Sequence, residues 1–166
     1  MSGTAHDAPR REPADLGILL TLGMRAFVDL LHARLDERGF DDVRPAYGVV
    51  FRALRDEPLT LTELATRLGV SKQAAAKVVD EMVGKRLVRR RPAPDDARAK
   101  LLDLAPRGRR AMSTAQEIGR EIDATLVREA GAPSVDALHA ALELLARRAG
   151  LGEDLDRRRS PALWGS

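Results

Sequence analysis

The chain has 166 residues, of which 44% are hydrophobic and none is cysteine, and its formal net charge is +3. This length suits one domain, or one domain with a dimerising lobe, and a chain of this size can bury roughly two-thirds of its unfolded surface without cross-links. The lack of cysteine excludes disulfides, thiolate zinc sites and cysteine nucleophiles. The three histidines are far apart in the sequence, so neither a metal nor any other cofactor is expected. Aromatic residues make up only 3%, and the composition favours a mainly α fold.

Membrane and export signals are not apparent in the sequence. No apolar run approaches the roughly 20 residues that a membrane span requires. Residues 1–13 are polar and lack the hydrophobic stretch of a secretory signal. We therefore expect a cytoplasmic protein with no membrane partner.

The positive charge is concentrated in the middle of the chain. Residues 71–110 contain twelve Lys and Arg against five Asp and Glu, a net charge of +7, whereas residues 1–70 and 111–166 carry −2 each. A basic centre between mildly acidic flanks is typical of a module that binds duplex nucleic acid. A solvated basic face is the alternative, and charge alone favours it, so the local pattern has to decide.

Apolar periodicity predicts helices in the first part of the chain. Residues 1–12 have the character of a flexible arm, and residues 15–38 form a long helix that ends at Gly39. A second helix begins at Pro45. Its apolar face comprises Tyr47, Val50, Phe51 and Leu54.

Two short helices follow with clear start signals. Thr60 and Glu63 form a capping box for a helix that ends before Gly69. Ser71 then caps a helix over residues 72–84. Its inward positions are Ala75, Val79 and Met82, and its outward positions are Gln73, Ala76, Lys77 and Asp80.

Two strands and two helices complete the chain. Extended segments over residues 87–91 and about 99–104 flank a turn-rich tip, which predicts a β-hairpin. Pro106 begins a fifth helix, and Ser134 caps a sixth after the break at residues 131–133. The apolar stripe of the fifth helix comprises Ala111, Ala115, Ile118, Ile122 and Leu126. The residues expected to point inward on the sixth helix are Val135, Leu138, Leu142, Leu145 and Ala149. Residues 151–166 have the composition of a disordered tail.

This order of elements predicts a winged helix-turn-helix. The major groove of B-form DNA admits an α-helix, so the polar face of helix 72–84 can reach base edges there. The hairpin tip, with Arg98 beside it, can reach the adjacent minor groove, where negative potential favours an inserted arginine. The basic hairpin strengthens what would otherwise be a common pair of helices.

From about residue 15 to residue 150 the chain resembles the MarR family of bacterial transcription regulators. The resemblance lies in residues 59–68, 70–71, 87–89, 95–100 and 102–108. It implies that Arg98 enters the minor groove and that Asp96 holds Arg98 by a charge-assisted hydrogen bond. It also implies that effectors bind between the dimerising helices and the winged lobe.

Three positions depart from the family pattern. Ala105 stands where a capping Thr is usual, and Ala97 where a second Arg is frequent. Arg86 replaces the Gly that turns the chain out of the recognition helix. Either Arg86 adopts the left-handed conformation at a cost of about 1 kcal/mol, or the helix ends earlier at Gly84.

These patterns give two sets of candidate site residues. The DNA-binding set is Ser71, Lys72, Gln73, Ala76, Lys77, Arg89, Asp96, Arg98 and Lys100. The candidates for a small-molecule pocket are Met24, His32, Tyr47 and Phe51, although Tyr47 and Phe51, four residues apart on one helix face, are more often simple core. Of Arg89, Arg90 and Arg91, only one or two can face DNA because side chains alternate along a strand. No nucleophile–base arrangement is apparent, so no enzyme is expected.

We therefore expect a mainly α protein with a small β-hairpin wing. A winged helix-turn-helix over about 43–105 lies within a domain of 13–150, whose dimerisation helices are about 15–38 and 106–149. The expected function is that of a homodimeric repressor that binds a pseudo-palindromic double-stranded operator and responds to a small aromatic or drug-like effector. The alternative is a winged-helix adaptor that binds a partner protein instead of an operator.

Overall fold

The computed structural model describes residues 15–93 and 100–156. Seven helices and three strands occur in these ranges: α1 (Leu16–Glu37), α2 (Tyr47–Ala53), β1 (Leu59–Thr60), α3 (Leu61–Leu68), α4 (Lys72–Gly84), β2 (Val88–Pro92), β3 (Lys100–Leu104), α5 (Pro106–Ala130), α6 (Ala132–Arg148) and α7 (Gly152–Asp156). The predicted mainly α winged helix-turn-helix is confirmed. The expected arm of residues 1–12 lies outside the described residues, as do residues 157–166. The expectation of a tail from residue 151 is wrong at its start, where α7 forms.

The caps predicted for the helix-turn-helix are present. The Thr60 hydroxyl accepts from the Glu63 N–H (3.2 Å), and the Glu63 carboxylate accepts from the Thr60 N–H (2.7 Å). The Ser71 hydroxyl accepts from the Ala74 N–H (3.1 Å). Between the two helices, Gly69 has a φ of 65°, a conformation that side chains with a Cβ rarely adopt. Local sequence therefore determines both the start of α4 and its sharp turn from α3.

The prediction that Ser134 caps the sixth helix is wrong. The helix begins at Ala132, directly after Gly131, and no side chain caps it. Gly131 has a φ of 83°, so the chain turns in one residue and the helix restarts at once. Pro133 then lies in the first turn, where its missing N–H costs nothing.

The sheet contains one strand that the pattern did not predict. β1 pairs antiparallel with β3, which also pairs with β2, giving the order β1-β3-β2. Leu59 lies opposite Leu102, and Val88 lies opposite Leu104. A strand of two residues has no periodicity, so only its pairing with β3 defines it.

The core lies between this sheet and helices α2 to α5. Its largest fully buried side chains include Leu35, Tyr47, Leu64, Val79, Met82, Leu102 and Ile118. The inner face of α4 is buried as expected, through Ala75, Val79 and Met82. Of the residues of α1, only Leu35 is fully buried.

The expectation that the apolar residues of the sixth helix point inward holds within the chain for Val135 and is wrong for the others. Leu138, Leu142 and Leu145 of α6 and Leu126 of α5 are all exposed, and so is Ala149. The apolar residues of α1 are exposed as well; they include Leu16, Ile18, Leu19, Leu22, Met24, Phe27 and Leu30. Within residues 15–93 and 100–156, no further element covers these faces.

The expectation that no apolar run approaches the length of a membrane span is wrong for α1. By length and composition alone, α1 is a candidate span, with a mean hydropathy of 1.5 in its most apolar window. Gly17, Thr21 and Gly23 interrupt the visible run, but they lower the mean hydropathy too little to remove the helix from the candidates. One such helix is weak evidence for a membrane segment.

Arg86 adopts the left-handed conformation, with a φ of 58°. We expect Arg86→Gly to raise the free energy of unfolding by about 1 kcal/mol, because glycine carries no Cβ penalty there. For a chain of this size the melting temperature should rise by about 2–4 °C. Arg86→Ala is the matched control, since it removes the side chain and keeps the strain. Equal melting temperatures for the two variants would contradict the assignment of strain to this residue.

Candidate nucleic-acid interface

The outer face of α4 presents the polar side chains expected to contact DNA. Lys72, Gln73 and Lys77 are exposed, whereas Ala76 is half-buried beside the inner face. Because Ala75, Val79 and Met82 anchor the opposite face in the core, α4 cannot rotate without losing that burial. Although Ser71 caps the helix, its hydroxyl retains a proton that it can donate to a phosphate. These five candidate residues therefore share the surface that begins at the N-terminus of α4.

Arg89 is held by a carboxylate at this surface, although its side chain is 54% exposed. Its guanidinium binds the Oδ2 of Asp103 through Nη2 (2.6 Å) and Nε (3.2 Å). Arg109 at the start of α5 binds the other oxygen, Oδ1, at 2.7 Å. Asp103 is only 6% exposed, and these two arginines join β2, β3 and α5. The structure thus favours a structural role for Arg89.

The pKa of Asp103 is lowered from its usual range. Burial alone would raise it, but the hydrogen bond from Arg89 and the positive charges of Arg109 and Arg89 outweigh that effect. A carboxyl group whose folded-state pKa is depressed stabilises the fold above its unfolded-state pKa. This stabilisation is lost as the pH falls through the folded-state value.

We expect Asp103→Asn to lower the free energy of unfolding by about 2 kcal/mol at pH 7, since a buried charged hydrogen-bond partner is lost. The melting temperature should fall by about 4–8 °C. The difference from the parent should shrink as the pH falls below the ordinary aspartate range and through the lowered folded-state pKa of Asp103, where the carboxyl group of the parent becomes protonated. Thermal melts between pH 3 and pH 8 measure this.

Asp29→Asn is the matched control for that series. Asp29 forms an exposed ion pair with Arg25 within α1, and such a pair contributes less than about 1 kcal/mol. If both variants showed the same pH-independent change, the assignment of Asp103 as the stabilising carboxylate would be wrong.

The remaining arginines of β2 differ in their surroundings. Arg90 binds Asp80 of α4 at 2.5 Å, so Asp80 orients a basic side chain of β2. Arg91 is half-buried, and among the described residues its enclosed Nε has no hydrogen-bond partner. Of the three, Arg90 therefore lies against the outer face of the recognition helix.

The wing itself is only partly described. Lys100 is exposed at the start of β3, opposite Pro92. Asp96 and Arg98 lie outside the described residues, so their expected roles stay predictions. The base of the hairpin, over β2 and β3, follows directly after α4.

The four candidates for a small-molecule pocket occupy different surroundings. Tyr47 and Phe51 are core residues, 1% and 5% exposed, as the alternative interpretation held. The Tyr47 hydroxyl donates to Glu81 of α4 at 3.2 Å. Burial, followed by this hydrogen bond, raises the pKa of Tyr47. Met24 is exposed on α1 and His32 is half-buried two turns further on.

One interaction near the interface escaped the sequence analysis. Arg107, which the sequence placed only among the basic residues and in the stretch 102–108 of the resemblance, binds Asp42 and the backbone carbonyl of Lys85 at the end of α4. Asp42 and Arg107 are 65 residues apart, and no local pattern links them. Arg44 also makes a contact that no local pattern predicts. Its Nη1 donates to Glu81 Oε2 at 3.1 Å, the oxygen that also accepts from the Tyr47 hydroxyl.

The fold and the polar face of α4 define a class. Two helices in a tight turn, followed by an antiparallel sheet with a basic hairpin, make this chain a winged helix-turn-helix protein of the DNA-binding type.

Comparison with known proteins specifies the family. Residues 41–99 match the MarR family profile. Wild-type MarR from E. coli has 26% identity and a TM-score of 0.64, with 81% of this chain and 98% of that chain covered. RV1404 from Mycobacterium tuberculosis has 25% identity and a TM-score of 0.66, with 84% and 97% covered. Residues 41–99 thus match the MarR family, and the fold is that of the MarR-family winged-helix transcription regulators.

A third similar structure includes DNA. It is the transcriptional repressor CouR bound to a 23-mer DNA duplex, with 25% identity, a TM-score of 0.62, and 80% of this chain and 92% of that chain covered. No curated protein sequence matches this chain.

Proposed function

We propose that this protein is a cytoplasmic, homodimeric repressor that binds a pseudo-palindromic operator in double-stranded DNA. The observation that carries the proposal is the exposed face of α4, where Lys72, Gln73 and Lys77 project from a helix anchored by its buried side. Lysine can bind guanine or phosphate, and glutamine can bind adenine in the major groove. The similarity to CouR, a repressor bound to duplex DNA, supports the same activity here.

Dimerisation is the second part of the proposal. Thirteen large apolar residues of α1, α5 and α6 are exposed, and monomeric proteins rarely expose contiguous apolar patches larger than a few hundred Å². In a dimer with a two-fold axis, the apolar surface of one copy would pack against the identical surface of the other. The two recognition helices would then contact half-sites about one helical turn apart.

Ligand response is the third part, and Met24 and His32 carry it. Both lie on α1, and a second copy packed against α1 would enclose them within the dimer lobe. Tyr47 and Phe51 are buried in the core, so we do not include them among the residues that line the proposed ligand site. A small aromatic or drug-like compound fits such an apolar environment.

Selection of bound fragments from genomic DNA, followed by affinity measurements at several salt concentrations, tests the proposal. We expect a recurrent pseudo-palindrome bound with a dissociation constant of about 10⁻⁸ M or below, at least about 10³-fold more tightly than a random duplex. The logarithm of the affinity should fall linearly with the logarithm of salt concentration. Absence of salt-dependent duplex binding would refute the proposal and bring back the protein-adaptor alternative.

A further inference from the structure

Arg107 lies where three parts of the molecule meet. It is the second residue of α5, and its guanidinium forms a two-pronged pair with Asp42 in the segment between α1 and α2. The Nη2–Oδ1 distance is 2.7 Å and the Nη1–Oδ2 distance is 3.1 Å. The same Nη1 donates to the Lys85 carbonyl at 3.1 Å, and the guanidinium carbon lies 5.6 Å from the centre of the Phe40 ring.

The Lys85 carbonyl belongs to the end of the recognition helix. Lys85 is the C-cap residue of α4, and the last carbonyls of a helix have no partner within it. Arg107 supplies a charged donor to this carbonyl, and Asp42 neutralises Arg107. The side chains of Arg107 and Asp42 are only 27% and 31% exposed, so water screens the pair less than it would a surface ion pair.

The backbone at this junction is closely packed. A Cβ on Gly108 would lie 2.0 Å from the Leu87 carbonyl oxygen, so only glycine allows α5 to approach the start of β2 so closely. The Ala105 N–H donates to that same carbonyl at 3.0 Å. Van der Waals contact thus sets the separation between α5 and the end of α4. The side-chain bonds of Arg107 add a further constraint on their relative orientation.

We propose that Arg107 is a positioning residue for operator recognition, which holds the end of α4 at a set angle to α5 through the Lys85 carbonyl and Asp42. Because α5 leads into the apolar lobe, this contact determines the direction in which each copy presents Lys72, Gln73 and Lys77. In a dimer it therefore sets the half-site spacing that the protein accepts. This inference rests on the proposed function.

The experiment measures affinity for selected operators whose half-site spacing is changed by one or two base pairs. One base pair turns a half-site by about 34° around the duplex axis. The parent should bind one spacing at least about tenfold more tightly than its neighbours. Arg107→Gln should weaken binding at the best spacing by about tenfold and flatten the preference among spacings. Arg107→Lys retains the charge but cannot form the two-pronged pair. Its affinity and its spacing preference should lie between those of the parent and those of Arg107→Gln.

Controls separate positioning from stability and from phosphate contact. Arg110→Gln removes an exposed charge one turn further along α5 and should keep the parent's spacing profile. Asp42→Asn changes no residue of α5 and should show the same flattened spacing profile as Arg107→Gln. A positioning role leaves the salt slope unchanged, whereas a phosphate contact would reduce it by about one.

Three outcomes overturn the inference. One is a spacing profile like the parent's in both Arg107 variants, with only a lower melting temperature. Another is a reduced salt slope with an unchanged profile. The third is unfolding of both Arg107 variants and of Asp42→Asn, which would make the group a stability element. Failure of the proposed function is distinct, because then the parent itself would bind no selected duplex.

Discussion

Leu22→Asp should convert the protein into a monomer and abolish high-affinity operator binding. Leu22 is 60% exposed on α1, and a two-fold dimer would bury it twice. Loss of two buried leucines, together with two carboxylates at the interface, should cost at least about 4 kcal/mol, roughly a thousandfold in the dimer dissociation constant. Sedimentation velocity at micromolar concentration measures the change in mass.

Thr62→Asp is the control for that experiment. It places the same charge on an exposed position in the first turn of α3, away from the apolar lobe. It should leave the dimer intact, with circular dichroism reporting folding in both variants. A parent that sediments as a monomer at micromolar concentration would contradict the dimer directly.

Lys77→Ala and Gln73→Ala should each weaken operator binding by about 1–3 kcal/mol, because both side chains project from the outer face of α4 and can reach base edges. Binding to random duplex should change less. The melting temperature should barely move, because neither side chain belongs to the core. Affinities for operator and random duplex, measured at several salt concentrations, separate these effects.

Arg98→Ala is the contrasting variant. If Arg98 enters the minor groove, its loss should weaken binding at many sites alike and reduce the salt slope by about one. Arg120→Ala, an exposed arginine on α5, is the control for loss of a charge outside the winged lobe. If Lys77→Ala and Arg98→Ala both bound the operator like the parent, the assignment of the two grooves would be wrong.

Local chemistry was sufficient for most of the helix-turn-helix. The Thr60–Glu63 capping box, the Ser71 cap and the left-handed Gly69 each act within four residues, so the sequence displays them directly. The outer face of α4 followed from the same helical spacing. Ser134 shows the limit of this method, because a glycine that restarts a helix at once displaces a favourable cap.

Long-range partners could not be predicted from spacing. Arg89 was a candidate DNA contact in the sequence, and only folding brings it to Asp103, 14 positions away, together with Arg109 from the next helix. Tyr47 had two interpretations in the sequence. Its burial and its bond to Glu81 decide between them.

The sequence by itself determined the helices of the winged lobe, the polar face of α4 and the excess of apolar residues on α1, α5 and α6. These features depend on periodicity and on caps, which act over a few residues. Only the tertiary structure decided which arginines are held by carboxylates, that α1 buries little more than Leu35, and that Arg107 joins Asp42 to the end of the recognition helix. The physical reason is that ion pairs and burial depend on which distant segments pack together.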